Sequence, residues 1–159
     1  MTDTPSTPEP ETRTLPGVDT AVVRGVVTPG DLPGFFDRSF GSLGAALAEL
    51  GTTPAGPAFA HYLRPPGDTS ELEVGFPVGR RIEPSGDVVP SRLGGGRVAT
   101  VVHEGGYERL GTSWDRLLAW VEQQGLQPGV GMWEVYLTEP TPDGDPAANR
   151  TALFLPLQD

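Results

Sequence analysis

Shifted by 74 residues, the chain lies on itself: Gly51 falls on Gly125, Phe40 on Trp114, Leu43 on Leu117 and Leu47 on Val121. Further along, Pro54 falls on Pro128, Phe59 on Trp133, Tyr62 on Tyr136 and Leu63 on Leu137. After a five-residue gap, "FPV" at Phe76 meets "LPL" at Leu155. Two copies are too few for a solenoid, so they must share one core.

Local patterning says what each copy contains. "TAVVRGVV" and "RVATVVH" are rich in β-branched residues and read as strands. A helical stripe follows the first at Phe36, Phe40, Leu43 and Leu47, and glycine ends it at Gly51. Gly41 and Gly44 predict a frayed or bent helix there. In the second copy, Trp114, Leu117, Leu118 and Val121 form the stripe, with Gly125 as its stop. "PAFAHYL", "ELEVGFPV", "MWEVYL" and "TALFLPL" supply two further strands per copy. The prediction is an α+β fold, a duplicated β-α-β-β unit with pseudo-twofold symmetry. One antiparallel sheet carries both helices on a single face. The opposite face holds a ligand groove at the pseudo-twofold axis.

The domain plan is simple. Residues 1–14 are rich in Pro, Thr and Glu and cannot bury enough apolar surface to offset their ordering entropy. They are expected to be a disordered tail, with a single domain over 15–159 and repeat halves near 15–84 and 92–158. "RLGGGRV" joins the halves. It does not match a phosphate loop, since no Lys–Ser/Thr follows and a strand comes next.

Composition removes several functions. The 159 residues include no cysteine, which excludes disulfides, thiolate metal sites and cysteine nucleophiles. The formal net charge is −10, which argues against a nucleic-acid partner. No apolar run approaches the roughly 20 residues of a membrane span, and no signal pattern opens the chain. A cytoplasmic location is the default expectation. An open sheet edge would permit a homodimer.

The stretch "GMWEVYLTEP" poses the functional question. Alternation puts Trp133, Val135 and Leu137 on one side, Glu134 and Tyr136 on the other. An acid on an antiparallel sheet is ordinarily a solvated residue of the wet face. Here Tyr62 occupies the repeat-matched place of Tyr136, which sets two aromatic rings and one carboxylate on a shared side. A carboxylate among rings is partly desolvated, and its pKa rises unless a cation or hydrogen bond compensates. Such a group is a cation partner or a general base. Trp133 and Trp114 read as core, and Trp120, out of phase with the helical stripe, as a rim residue of the groove. His61 and His103 sit in no metal-like cluster, so neither a metal nor another cofactor is expected.

"VVHEGGYERLGTSWDRLLAWVEQQGLQP", "MWEVYL" and "LFLPL", with the weaker "FAHYL" and "VGFPV", resemble the GyrI-like small-molecule-binding domain, also called the AraC-type effector-binding domain, of the SOUL-like superfamily. The resemblance covers about residues 15–158. It includes a Gly-x-Tyr turn, here Gly105, Gly106 and Tyr107, and a Glu-x-Tyr strand, here Glu134 and Tyr136. It implies a small hydrophobic, planar or cationic ligand, with Tyr62, Tyr107, Trp120, Glu134 and Tyr136 bordering the site. It also brings to mind the haem-binding SOUL relatives, although neither histidine here suits a haem ligand. About fourteen residues precede the expected fold, so a stand-alone member is expected rather than the sensor half of a DNA-binding regulator. Stand-alone members are associated with ligand sequestration, gyrase protection or hydrolysis of cyclopropane-bearing alkylators. The first predicts a drug- or effector-binding protein. The last makes Glu134 and Tyr136 catalytic, in a Glu general-base hydrolase.

Overall fold

The computed structural model describes residues 9–64, 67–106, 109–138 and 149–158. Strand β1 (Glu11–Val27) leads through a short 3-10 turn into helix α1 (Leu32–Glu49), then β2 (Phe59–Tyr62) and β3 (Ser70–Pro77). The second copy runs β4 (Val89–Glu104), α2 (Leu110–Gln123), a two-residue β5 (Gln127–Pro128), β6 (Trp133–Tyr136) and β7 (Arg150–Gln158). The α+β class, the duplicated unit and the antiparallel sheet are as expected.

The halves repeat in space as in sequence. Order within the first is β1-β3-β2, and within the second β4-β7-β6. They join where β2 pairs with β6 and where β1 pairs with β4. Ala60 and Glu134 are direct cross-strand partners, and they are also 74 residues apart. The pseudo-twofold axis therefore passes between them. Both helices end alike, at Gly51 with φ 67° and Gly125 with φ 70°, left-handed conformations that glycine adopts without a side-chain clash. Thr52 N–H reaches Leu47 O and Leu126 N–H reaches Val121 O, the same cap twice.

The sheet is not fully open. β4 pairs with β1 along its first part and with β7 along its last, so six strands close on themselves. Closure creates an inner face. Val22, Phe59, Leu93, Val98 and Trp133 fill it, with Val135 and Phe154 against them. Trp133 and Phe154 stack with ring centroids 5.1 Å apart. The outer face carries the helices. Phe35, Leu43, Ala46 and Leu47 of α1 cover Ala21, Val23, Ala60, Leu72 and Val74. Trp114, Leu117 and Val121 of α2 cover Ala99, Val101, Leu153 and Leu155. Each fully buried Leu contributes about 1.5–3 kcal/mol.

Two expectations change. Residues Glu11–Thr14 belong to β1 and pair with Arg97–Thr100, so the fold starts before Leu15. Backbone pairing needs no apolar side chain, and these four residues are all exposed. Helix α1 also runs unbroken through Gly41 and Gly44, because packing of its apolar face outweighs low propensity. Among the described residues no helix is long and apolar enough to cross a membrane.

Candidate functional site

Period-two alternation on β6 puts Glu134 and Tyr136 on one side, as the sequence predicts, but that side is the helix-bearing face. Trp133 and Val135 turn into the closed sheet instead, and Leu137 is 44% exposed. The cause is ring closure. The inner face takes Trp133 and Val135, and the opposite side of β6 meets the helices, Trp114 of α2 at Glu134 and the α1 cluster at Tyr136. The groove expected on the opposite face is filled by the inner cluster.

Glu134 is 7% exposed. Trp114 Nε1 donates to its Oε1 at 2.8 Å, and the Tyr136 hydroxyl donates to its Oε2 at 3.0 Å. Among the described residues no arginine forms an ion pair with it. Burial pushes the carboxyl above the usual carboxylate range, against the opposing pull of the Trp114 and Tyr136 hydrogen bonds and the nearby His103. Tyr62 projects from β2 onto the same face and packs against the α1 cluster. Its hydroxyl is pushed up to about 12 by burial and then by the charge of Glu134, so it stays a donor at neutral pH.

A polar row runs beside the acid. His103 of β4, Thr151 of β7 and Tyr136 of β6 are successive cross-strand neighbours. His103 Nε2 lies 2.9 Å from Gly106 O and Nδ1 lies 2.6 Å from Ser113 Oγ. A carbonyl only accepts, so Nε2 donates to Gly106 O, and Nδ1 shares a hydrogen bond with the Ser113 hydroxyl. Thr151 is 0% exposed, and its Oγ1 has no hydrogen-bond partner.

An aromatic cavity of about 720 Å³ adjoins the acid on the α1 side. Phe36, Phe40, Phe76, Pro57, Ala58 and Tyr136 contribute to its wall. Glu134 does not line it. Tyr136 does, and its hydroxyl donates to Glu134, so this residue connects cavity and carboxylate. A polar cleft of about 930 Å³ lies elsewhere, between α1 and β1, with Arg24, Arg38, Asp37 and Asp87 on its walls.

Of the residues expected at the site, Glu134, Tyr136 and Tyr62 come together. Tyr107 lies outside the described residues. Trp120 does not join them. It stands seven residues after Ser113, hence on the helix side that meets His103 on β4, and it packs against the α2 core. The residue missed is Trp114, which was read as core only. It is core, yet its indole N–H is the hydrogen bond that orients Glu134. A buried indole N–H needs an acceptor, and that was the available signal. Among the described residues no group of three or more His, Asp or Glu could hold a metal ion.

A second buried acid, Glu73 on β3, faces the inner side. Arg24 Nε and Ser91 Oγ donate to it, and His61 Nδ1 lies 3.6 Å away. Burial pushes this carboxyl up, but the His61, Arg24 and Ser91 contacts together bring it below its ordinary value.

Solved structures share the fold. EcmrR in a complex with DNA superposes with a TM-score of 0.83 at 18% identity, over 96% of this chain. This chain spans only 58% of that EcmrR chain, but 98% of the EcmrR C-terminal domain solved alone, again at 0.83 and 18%. A hydrolase from Listeria innocua matches with a TM-score of 0.68 at 16% identity, covering 94% of this chain and 92% of its own. SAV2435 bound to tetraphenylphosphonium matches with 0.68 at 11%, covering 94% of each. At these identities the likeness concerns the fold alone. No curated protein matches the chain in sequence. Residues 8–158, nearly all of both repeat halves, fit one family profile, and the chain belongs to the family of GyrI-like small molecule binding domains.

Proposed function

We propose that this domain binds a hydrophobic, planar or cationic small molecule at the seam between its two copies. The observation that carries the reading is the state of Glu134. It is a buried carboxylate with two neutral donors and, among the described residues, no arginine partner, set beside a cavity walled by aromatic rings. A ligand cation supplies the missing charge. The rings of Tyr136, Phe40 and Phe76 take the apolar body, and cation–π contacts add about 0.5–2 kcal/mol each. Tetraphenylphosphonium on the similarly folded SAV2435 supports this ligand class. The chain's acidity favours the same sign of ligand and disfavours nucleic acid. The proposed setting is the cytoplasm.

Trp114 touches the acid, so tryptophan fluorescence should report occupancy. Tetraphenylphosphonium is expected to quench it saturably. Glu134→Gln is expected to weaken binding by about ten-fold or more, that is about 1.4 kcal/mol. Unchanged affinity in that variant removes Glu134 from the binding site.

A second reading makes the same site hydrolytic. Its support is the Glu134–Tyr136 hydrogen bond together with the hydrolase from Listeria innocua that shares the fold. Glu134 takes a proton from water, and the water oxygen attacks a cyclopropane carbon. The ring C–C bond breaks, and its electrons move onto a conjugated carbonyl held by a tyrosine hydroxyl. Such base catalysis contributes about 10²–10⁴-fold. Mass spectrometry of reactive cyclopropanes incubated with the protein decides: a mass gain of one water supports turnover, and full recovery of every substrate rejects it.

A further inference from the structure

The aromatic cavity has a repeat-matched counterpart in the second half, and the two places are filled differently. At the 74-residue offset Ala58 matches Met132, Phe40 matches Trp114 and Phe36 matches Leu110. Met132 and Leu110 pack against the α2 core, in which Trp114 is buried. In the first half Ala58 ends at Cβ, and Phe40 lacks the second ring of an indole. Both border about 720 Å³ of open volume. That volume falls within the range of drug-sized ligand sites.

Among the described residues no charged side chain lines this cavity. Two of its polar wall groups are already engaged. The Tyr136 hydroxyl donates to Glu134, and Thr138 Oγ1 accepts from Arg150 N–H. An ion held by Phe36, Phe40 and Phe76 alone recovers only part of its hydration through ring contacts, whereas an uncharged aromatic molecule loses little. Glu134 already has a donor on each oxygen, and a neutral guest in the cavity leaves both hydrogen bonds in place.

We infer that the cavity is a binding site in its own right for an uncharged aromatic molecule of two or three rings, taken up without Glu134. The inference rests on the reading of the domain as a small-molecule binder, but not on the acid. The domain then has two binding modes. A neutral ligand fills the space that Met132 and Trp114 occupy in the other half and leaves the Tyr136–Glu134 hydrogen bond intact. A cation must reach the carboxylate behind that bond.

The test uses N-phenyl-1-naphthylamine, uncharged at neutral pH and fluorescent when it leaves water, titrated into the full chain. Saturable one-to-one binding is expected, with Glu134→Gln changing Kd by less than about two-fold. Ala58→Met, which copies the second half, is expected to weaken binding by about ten-fold or more. Leu137→Trp, at the 44% exposed rim, should do the same without touching the core, and it decides the matter if Ala58→Met does not fold. Absence of saturable binding overturns the inference. So does an equal loss in Glu134→Gln, or full binding in whichever of the two blocking variants folds. Loss of tetraphenylphosphonium binding alone falls on the cation reading and leaves this one standing.

Discussion

Glu73 and Glu134 are both buried acids in mid-strand, one in each half of a duplicated chain, 2% and 7% exposed. Their neighbours separate them. Glu73 has an arginine, a serine and a nearby histidine, and its carboxyl is held low. Glu134 has an indole N–H and a phenol, and its carboxyl is pushed high by burial. Burial alone therefore does not mark a functional acid. The charge of Glu73 is paired within the frame, whereas Glu134 has no arginine partner among the described residues, which is the ground for the ligand role proposed for it.

The largest expected effect is on stability. Glu73→Ala leaves Ser91 and the Arg24 Nε without their acceptor and should cost about 1–3 kcal/mol, the upper part of that range being discounted because Arg24 is 59% exposed. Glu134→Gln should cost less than about 0.5 kcal/mol, since a carboxamide still accepts from Trp114 and accommodates the Tyr136 hydroxyl. Chemical denaturation of both variants checks the contrast. A larger loss for Glu134→Gln breaks it.

Acidity sharpens the comparison. Glu73, held low, contributes stability above the ordinary glutamate range that is lost as pH falls through its depressed value. Glu134, held high, does the opposite: its contribution is present at low pH and is lost as pH rises through its raised value. Glu73→Gln should therefore flatten the acid limb of the stability profile. Glu134→Gln should leave that limb in place and raise relative stability toward neutral pH. Melting temperatures between about pH 3 and 8 read both effects, a window that brackets the ordinary glutamate value of about 4.3.

A smaller effect concerns orientation. Trp114→Phe copies Phe40 of the first half, keeping a ring and losing the N–H. It should weaken tetraphenylphosphonium by about three- to ten-fold, the worth of one hydrogen bond, and raise the Glu134 carboxyl further. A fluorescence-independent titration is needed because the variant removes the reporting indole. Unchanged affinity would reduce Trp114 to a packing residue.

Much of this was legible in the residues. The offset of 74 carried the duplicated unit, and it placed Tyr62 with Tyr136. The side of the sheet was not legible. Alternation in "MWEVYL" separates Glu134 from Trp133 but does not say which side meets a helix, and closure of β4 onto β7 is what gives the inner face an apolar cluster of its own. The role of Trp114 was within reach. Between the copies Phe40 becomes Trp114 and Ala60 becomes Glu134, so a donor and an acceptor are gained in the same half. Helical phase puts Trp120 on the side of Ser113, where it is half-buried against the α2 core. The start of β1 at Glu11 carries no apolar signal, because backbone pairing alone holds it.

The central claim is that Glu134, and not Glu73, receives the charge of a ligand. Isothermal titration of tetraphenylphosphonium into the wild type, Glu134→Gln and Glu73→Gln tests it directly. The account predicts one site, a loss of about ten-fold or more in Glu134→Gln, and wild-type affinity in a folded Glu73→Gln. Equal affinity in all three, or a loss confined to Glu73→Gln, would contradict it.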